Sequence, residues 1–438
     1  MPNETKNLAK HIGRPVVLSP KQGFWKSLGP GLVTGAADDD PSGIATYSQT
    51  GSQYGFKLLW LAAFSFPLMA VVQEMCARVG MVTGRGLAAN IRLHFSKWVL
   101  YSCVALLFFA NSFNIGADLG AMAKAVQLFA PALSFSFLII FFAGLCLLLE
   151  IFISYRKYAK VLKWLTVALL AYIFSAFFIH FDAKAVLSYA LLPHLSFNKD
   201  EIFLICGILG TTISPYLFFW QTSQEVEEEI LEGRTNIKQR ALASDEEIKK
   251  MRKDVWSGMF FSNLIMFFII LTCAATLFSH GVTDIKTASE AATALKPFAG
   301  PYAFYLFGLG IIGTGLLAIP VLAGSAAYAL AETEKWKEGL YRKFKQAHAF
   351  YGVIIASTLL GLAMNFTKLD PIKALIYAAV LNGLVSPIIL VLVVKMSGNK
   401  KIMGERKNGP VAKAAGWVIT ATMAVVGLAT LVILFMPK

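Results

Sequence analysis

The sequence predicts an all-α polytopic membrane protein: eleven transmembrane helices, ten of them forming two inverted five-helix repeats whose first members are discontinuous. Three observations predict it. Of 438 residues, 56% are hydrophobic, and they fall in repeated runs of about 20, enough to cross roughly 30 Å of hydrocarbon. Lysine and arginine are distributed unevenly among the intervening loops. Two apolar segments in matching places are each interrupted by a proline inside a small polar cluster.

The spans are expected near 29–54, 58–79, 98–123, 133–154, 159–180, 202–222, 254–278, 301–331, 347–366, 371–395 and 414–436. Residues 1–28 then form a polar, basic cytoplasmic tail with no cleavable signal peptide, and 29–180 the first repeat. An external loop follows at 181–201, and the second repeat runs from 202 to 395. Within it, 223–253 is a charged cytoplasmic loop, whose Glu225, Glu227, Glu228 and Glu229 read as a solvated helical extension. A cytoplasmic loop and the eleventh helix occupy 396–438.

With the N-terminus cytoplasmic, thirty of the forty Lys and Arg lie on the cytoplasmic side and nine outside, with the C-terminus outside. The net charge of +14 therefore reports topology and contact with the lipid bilayer, and argues against nucleic acid. Cys76, Cys103, Cys146, Cys206 and Cys273 all fall in spans without close spacing, so they read as small buried apolar residues.

The first interruption reads Asp38-Asp39-Asp40-Pro41-Ser42-Gly43, the second Thr211-Thr212-Ile213-Ser214-Pro215-Tyr216. Proline removes a backbone donor and pushes the residue before it out of the helical region. Each interruption opens a set of five spans, and five is odd, so the halves have opposite orientation in the membrane. Paired discontinuous helices of this kind mark a transporter's substrate site near the midplane. A carboxylate there, beside unwound carbonyls and helix C-terminal ends, suits a small cation. Asp40, Thr211 and Ser214 offer only oxygen, with no sulfur or imidazole in reach, which fits Mg²⁺, Ca²⁺ and Mn²⁺. The small side chains of Ser42, Gly43, Thr211 and Ser214 leave room for a partly hydrated ion, and Mg²⁺ sheds water reluctantly. Successive helical positions point about 100° apart, so three consecutive aspartates cannot line one ion. Asp40 is the expected ligand. Asp39 faces a vestibule, and Asp38 is as well explained by a structural partner.

Several stretches are similar to the Nramp family of divalent-metal transporters. They are Gly29-Pro30-Gly31, Asp40-Pro41, the runs Gln49–Trp60 and Gln73–Leu87, Gly207–Gly210, Leu369-Asp370-Pro371 and Met403-Gly404-Glu405. The resemblance covers essentially all spans and implies a LeuT-type fold and metal transport. The family's Asp-Pro-Gly-Asn is here Asp40-Pro41-Ser42-Gly43, so the asparagine ligand is absent. Its Met-Pro-His is Ser214-Pro215-Tyr216, its metal-facing alanine is Thr211, and a second histidine is Gln221. The family's Asp-x-x-Glu proton pair aligns with Asp118 and Ala121. The chain thus resembles a divergent, Nramp-related magnesium-transporter branch at least as much as the Mn²⁺/Fe²⁺ importers. The resemblance implies a metal site at Asp40, Gly43, Thr211 and Ser214, with Asp39, Asp118, Tyr216 and Gln221 on a vestibule or proton path.

All six histidines lie in tails, loops or span ends, which disfavours proton coupling through histidine. Glu74, one turn from Arg78, reads as structural. The expectation is an importer of a hard divalent ion, Mg²⁺ or Mn²⁺, working by alternating access in a bacterial plasma membrane with weak or no proton coupling. The alternatives are a proton-coupled Mn²⁺/Fe²⁺ importer and, more remotely, an organic-solute carrier of the same fold. Clustered catalytic groups, a resident cofactor and an obligatory protein partner are not expected.

Overall fold

The computed structural model describes residues 29–153, 181–241, 243–283, 288–367 and 369–435, together with positions 173, 176 and 179. The tail 1–28, the fifth span expected near 159–180 apart from those three positions, and the terminal Lys438 lie outside the described residues. Those described form helices and connecting turns, without a strand among them. Eight of the described helices are long and apolar enough to cross a membrane.

The principal helices, in chain order, begin with α1 (Pro30–Asp38), α2 (Pro41–Tyr54), α3 (Trp60–Thr83), α4 (Leu87–His94), α5 (Lys97–Phe129) and α6 (Phe135–Phe152). Then come α7 (Ala183–Leu191), α8 (Lys199–Thr212), α9 (Pro215–Leu231) and α10 (Asp245–Thr276). The last are α11 (Ala288–Glu334), α12 (His348–Met364), α13 (Pro371–Ser397) and α14 (Pro410–Phe435).

Both expected breaks are present, and the same chemistry makes each. Asp39 ends α1 at φ −85°, ψ 49°, and Asp40 is extended at φ −66°, ψ 170°, with Pro41 opening α2. Ile213 ends α8 at φ −120°, ψ 58°, and Ser214 is extended before Pro215 opens α9. Proline at the first helical position lacks a donor that would be unpaired anyway, so it starts a helix well. Pro67 and Pro387, by contrast, sit inside α3 and α13, which continue past them. Position relative to a polar, extended neighbour separates a restart from a tolerated proline.

The pair α1–α2 runs through the middle of the bundle, against α10 along its length and against α13, α5, α8 and α9 at the breaks. Glycine makes the α1–α10 approach possible. A Cβ on Gly31 would stand 2.6 Å from the Val255 amide nitrogen, and one on Gly35 2.9 Å from the Gly258 Cα. Asp254 of α10 accepts the amides of Gly29 and Gly31, each at 2.7 Å, and so holds the first turn of α1.

Three features depart from or refine the sequence reading. The segment after Thr222 is a helical extension, but it is not solvated: Glu225, Glu227 and Glu229 are buried, and Glu228 only partly so. Glu227 accepts the Tyr328 hydroxyl and the amides of Leu340 and Tyr341, so α9 is gripped by the turn after α11. Glu225 accepts from Gln221, and Glu229 pairs with Arg234. The external loop 181–201 contains helix α7. Glu74, as expected, is structural: it pairs with Arg78 and Arg252 and accepts the Trp256 indole N–H at 2.9 Å.

Candidate functional site

The two breaks meet in the middle of the bundle. A Cβ on Gly43 would lie 3.0 Å from the Thr211 hydroxyl, 3.3 Å from the Asp38 carbonyl oxygen and 3.3 Å from the Tyr47 ring. Gly43 and Thr211, singled out from opposite halves of the sequence, are therefore neighbours. Glycine here keeps open a space bounded by a hydroxyl and a free-ended carbonyl. The Thr211 and Tyr47 hydroxyls are both buried beside each other at this space, with no other partner among the described residues.

Asp40 caps α2. Its Oδ1 accepts the Ser42 hydroxyl at 2.6 Å and the Gly43 amide at 2.7 Å, and its Oδ2 accepts the Asn114 side-chain amide at 2.7 Å. Three donors fix the carboxylate. A carboxylate offers about four lone-pair sites, so capacity for a cation remains. Asn114 and Asp118 are four residues apart on α5, one turn, so both face the break. The Asn114 side-chain oxygen has no partner among the described residues, and Asp118 has none there but the Ser42 amide nearby.

The other two aspartates turn elsewhere. Asp38 Oδ2 accepts the Ser262 hydroxyl of α10 at 2.6 Å, the structural partner the sequence reading allowed for. Both oxygens of Asp39 are buried and unpartnered. All three aspartates are essentially inaccessible, at 0%, 0% and 1% exposure, so the site is closed to both faces of the bundle. Among the described residues no three His, Cys, Asp or Glu side chains converge as a metal-holding group, in keeping with the helical spacing of the triad.

The remaining residues singled out from sequence do different work. The Ser214 hydroxyl donates back to the Gly210 and Thr211 carbonyls, at 2.6 and 2.8 Å, so its side chain is occupied within its own helix. The Tyr216 hydroxyl donates to the Ala37 carbonyl at 2.8 Å and ties α9 to α1 just beneath the break. Gln221 lies two turns further along α9, bonded to Glu225 at 2.8 Å. The Ser386 hydroxyl of α13 reaches the Ile213 carbonyl freed by the second break.

Sequence reasoning missed Asn114, Ser262, Tyr47 and Glu150. Asn114 stood one turn from Asp118 and close to Asn111 and Ser112 in a mostly apolar run, and Ser262 begins a polar pair inside Phe260–Phe268. Those are signals a residue-by-residue search for intramembrane polar groups finds. Glu150, the one acid of α6, is 3% exposed with Oε2 unpartnered. Asn382 on α13 has neither amide atom paired among the described residues.

A cavity of about 890 Å³ opens elsewhere, walled by Arg85, Arg92, Arg240, Glu332 and Glu338 at the loop end of α4 and α11. None of the aspartates of the break lines it. In Glu338, outside the spans, burial pushes the carboxyl pKa up to about 9, with Glu332 and Glu227 adding to it.

Comparison with known proteins matches residues 31–433 to the family described as Nramp, natural resistance-associated macrophage protein-like. The divalent metal cation transporter MntH of Aeromonas hydrophila is 26% identical over 420 residues, covering 92% of this chain and 93% of that one. MntH of Caldanaerobacter subterraneus is 24% identical over 428 residues, covering 95% and 96%. Among solved structures, the Eremococcus coleocola manganese transporter superimposes with a TM-score of 0.72 at 18% identity, covering 94% of this chain and 88% of that one. Mhp1, a nucleobase-cation-symport-1 family transporter, in a closed conformation, gives 0.58 at 14%, covering 93% and 90%.

Proposed function

Since this chain belongs to the Nramp family, we propose that it is a divalent-metal carrier which binds a hard ion, Mg²⁺ or Mn²⁺, between its two helix breaks. It is an integral membrane protein and not an enzyme, and the metal is its cargo. The observation that carries the reading is the meeting of Asp40, Gly43 and Thr211. One carboxylate is fixed by three donors, one buried hydroxyl has only the Tyr47 phenol beside it, and small residues stand where bulkier ligands would fill the space.

Every donor at that point is oxygen. Thioether and imidazole favour softer transition ions, and their absence removes the means of rejecting abundant Mg²⁺. Ca²⁺ falls in the same class of ligand preference. Asp40 supplies the charge, the Thr211 hydroxyl and the carbonyl ends of α1 and α8 supply neutral oxygens, and waters complete the shell. Ser214 contributes through the backbone it restrains. Asp118 and Asn114 line the approach from α5, and Tyr216 closes the opposite side through Ala37.

Transport then proceeds by rearranging the half-helices around a fixed site, inward across a bacterial plasma membrane with the N-terminus cytoplasmic. Proton coupling is weak or absent on this reading, because Ala121 and Tyr216 stand where the resemblance expects titratable groups. Mn²⁺ as the working ion is the second reading. It accepts the same oxygens, and the structural neighbour named above is a manganese transporter.

The test is Mn²⁺ uptake into proteoliposomes with and without excess Mg²⁺, beside Asp40→Ala. Mg²⁺ is expected to compete, and the variant to lose uptake. Uptake indifferent to a large Mg²⁺ excess removes the hard-ion reading, and full uptake by the variant removes Asp40 from the site.

A further inference from the structure

Four carboxylates are buried around the first break: Asp38, Asp39, Asp40 and Asp118. No Lys or Arg among the described residues pairs with any of them. The carboxylates also leave the break in different directions. Asp40 is turned toward Asn114 of α5, and Asp38 toward Ser262 of α10.

On the α10 side the oxygens are set up to receive rather than to donate. Ser262 spends its one hydrogen on Asp38 Oδ2, so its lone pairs remain, and its hydroxyl stands beside Asp39 as well. Asp38 Oδ1 and both oxygens of Asp39 are buried with no partner among the described residues. The carbonyl end of α1, the negative end of its dipole, points at the same place. A cation placed there engages several of these oxygens at once. We propose that Asp38, Asp39 and Ser262 form a second cation site, distinct from the one at Asp40 and Thr211, which holds a hard ion, either alkali or divalent. The proposal goes beyond the transport reading but rests on the break being a cation site.

The experiment is equilibrium dialysis of purified, lipid-reconstituted protein against Mg²⁺, in choline buffer and again with Na⁺. Wild type is compared with Asp39→Asn, Ser262→Ala and Asp40→Asn, with melting curves to establish folding. A divalent occupant gives two bound Mg²⁺ per chain, falling to one in Asp39→Asn. An alkali occupant gives one Mg²⁺, whose affinity rises about fivefold or more with Na⁺ and loses that response in Asp39→Asn and Ser262→Ala. One Mg²⁺ with no response to Na⁺ overturns the proposal, as does either signature persisting in both variants. If that single Mg²⁺ is lost in Asp40→Asn, the transport site stands and only the second site falls. If wild type binds no Mg²⁺, both fall. Should Asp39→Asn not fold, Ser262→Ala carries the test, since it removes one oxygen and leaves the charge in place.

Discussion

Gly31→Ala puts the packing of α1 to the test. The added Cβ would lie 2.6 Å from the Val255 nitrogen, 2.7 Å from its Cα and 2.8 Å from the Asp254 carbonyl carbon. The neighbours are backbone atoms of a long helix and cannot step aside as a side chain would. Ordinary contact begins at 3.4 Å, so α1 and α10 must part by about 0.8 Å. Overpacking of this kind costs about 1–3 kcal/mol. The cost falls on the state in which α1 lies against α10, and shifts the balance toward release by about 5- to 150-fold. Thr34, fully buried on α1, reports the shift once replaced by cysteine. The five native cysteines are buried and stay quiet. When opening is fast relative to reaction, the maleimide labelling rate of Thr34→Cys follows the open fraction, so Gly31→Ala should raise it by that factor. Gly144→Ala in α6 is the control, because a Cβ there meets nothing within 4 Å. It should leave the rate unchanged. Equal labelling with and without Gly31→Ala, at equal melting temperature, would refute the argument that glycine sets this contact.

Other outcomes follow from single contacts. Asn114→Ala removes a hydrogen bond to the Asp40 carboxylate, worth about 1.5–3 kcal/mol, and should weaken Mg²⁺ binding about 10- to 100-fold in a titration of purified protein. Ser386→Ala leaves the buried Ile213 carbonyl without its hydroxyl donor. A fall in stability of about 1–3 kcal/mol should appear in thermal melts, with no change expected for exposed Thr422→Ala. Glu338 is raised to about 9 in the folded chain against 4.5 for an ordinary glutamate. The folded state therefore holds the extra proton between those values, so its contribution is full below 4.5 and is lost as pH rises toward 9. Melting temperatures across that window should fall less steeply in Glu338→Gln than in wild type.

The fold was legible because its signals are long and redundant: twenty-residue apolar runs, loop charge, and two prolines preceded by polar residues. The breaks were legible for a local reason, since Pro41 and Pro215 dictate the backbone of the residue before them whatever the tertiary context. Gly43 and Thr211 were legible as partners only through the inverted repeat, which brings positions 168 residues apart to one point. Side-chain direction was not legible. Asp38, Asp39 and Asp40 are consecutive, yet their partners come from α10, from no described residue and from α5 respectively, and only the packed bundle assigns them. Ser214 sits where a ligand was expected but spends its hydroxyl on its own helix, because the Gly210 and Thr211 carbonyls lie within hydrogen-bond reach. The glutamates after Thr222 misled for the opposite reason. Charge suggested water, and the turn after α11 supplied donors instead.

The link from Tyr216 to Ala37 has a mechanical meaning. Between α1 and α2 only Asp39 and Asp40 are non-helical, so the joint is short, and the backbone alone offers little resistance to bending there. A phenol on a different helix clasps the last turn before the joint, while Asp254 of α10 holds the first turn of the same segment. A segment fastened at both ends to different helices bends at its joint only when both fastenings give, so α9 and α10 have to release it together.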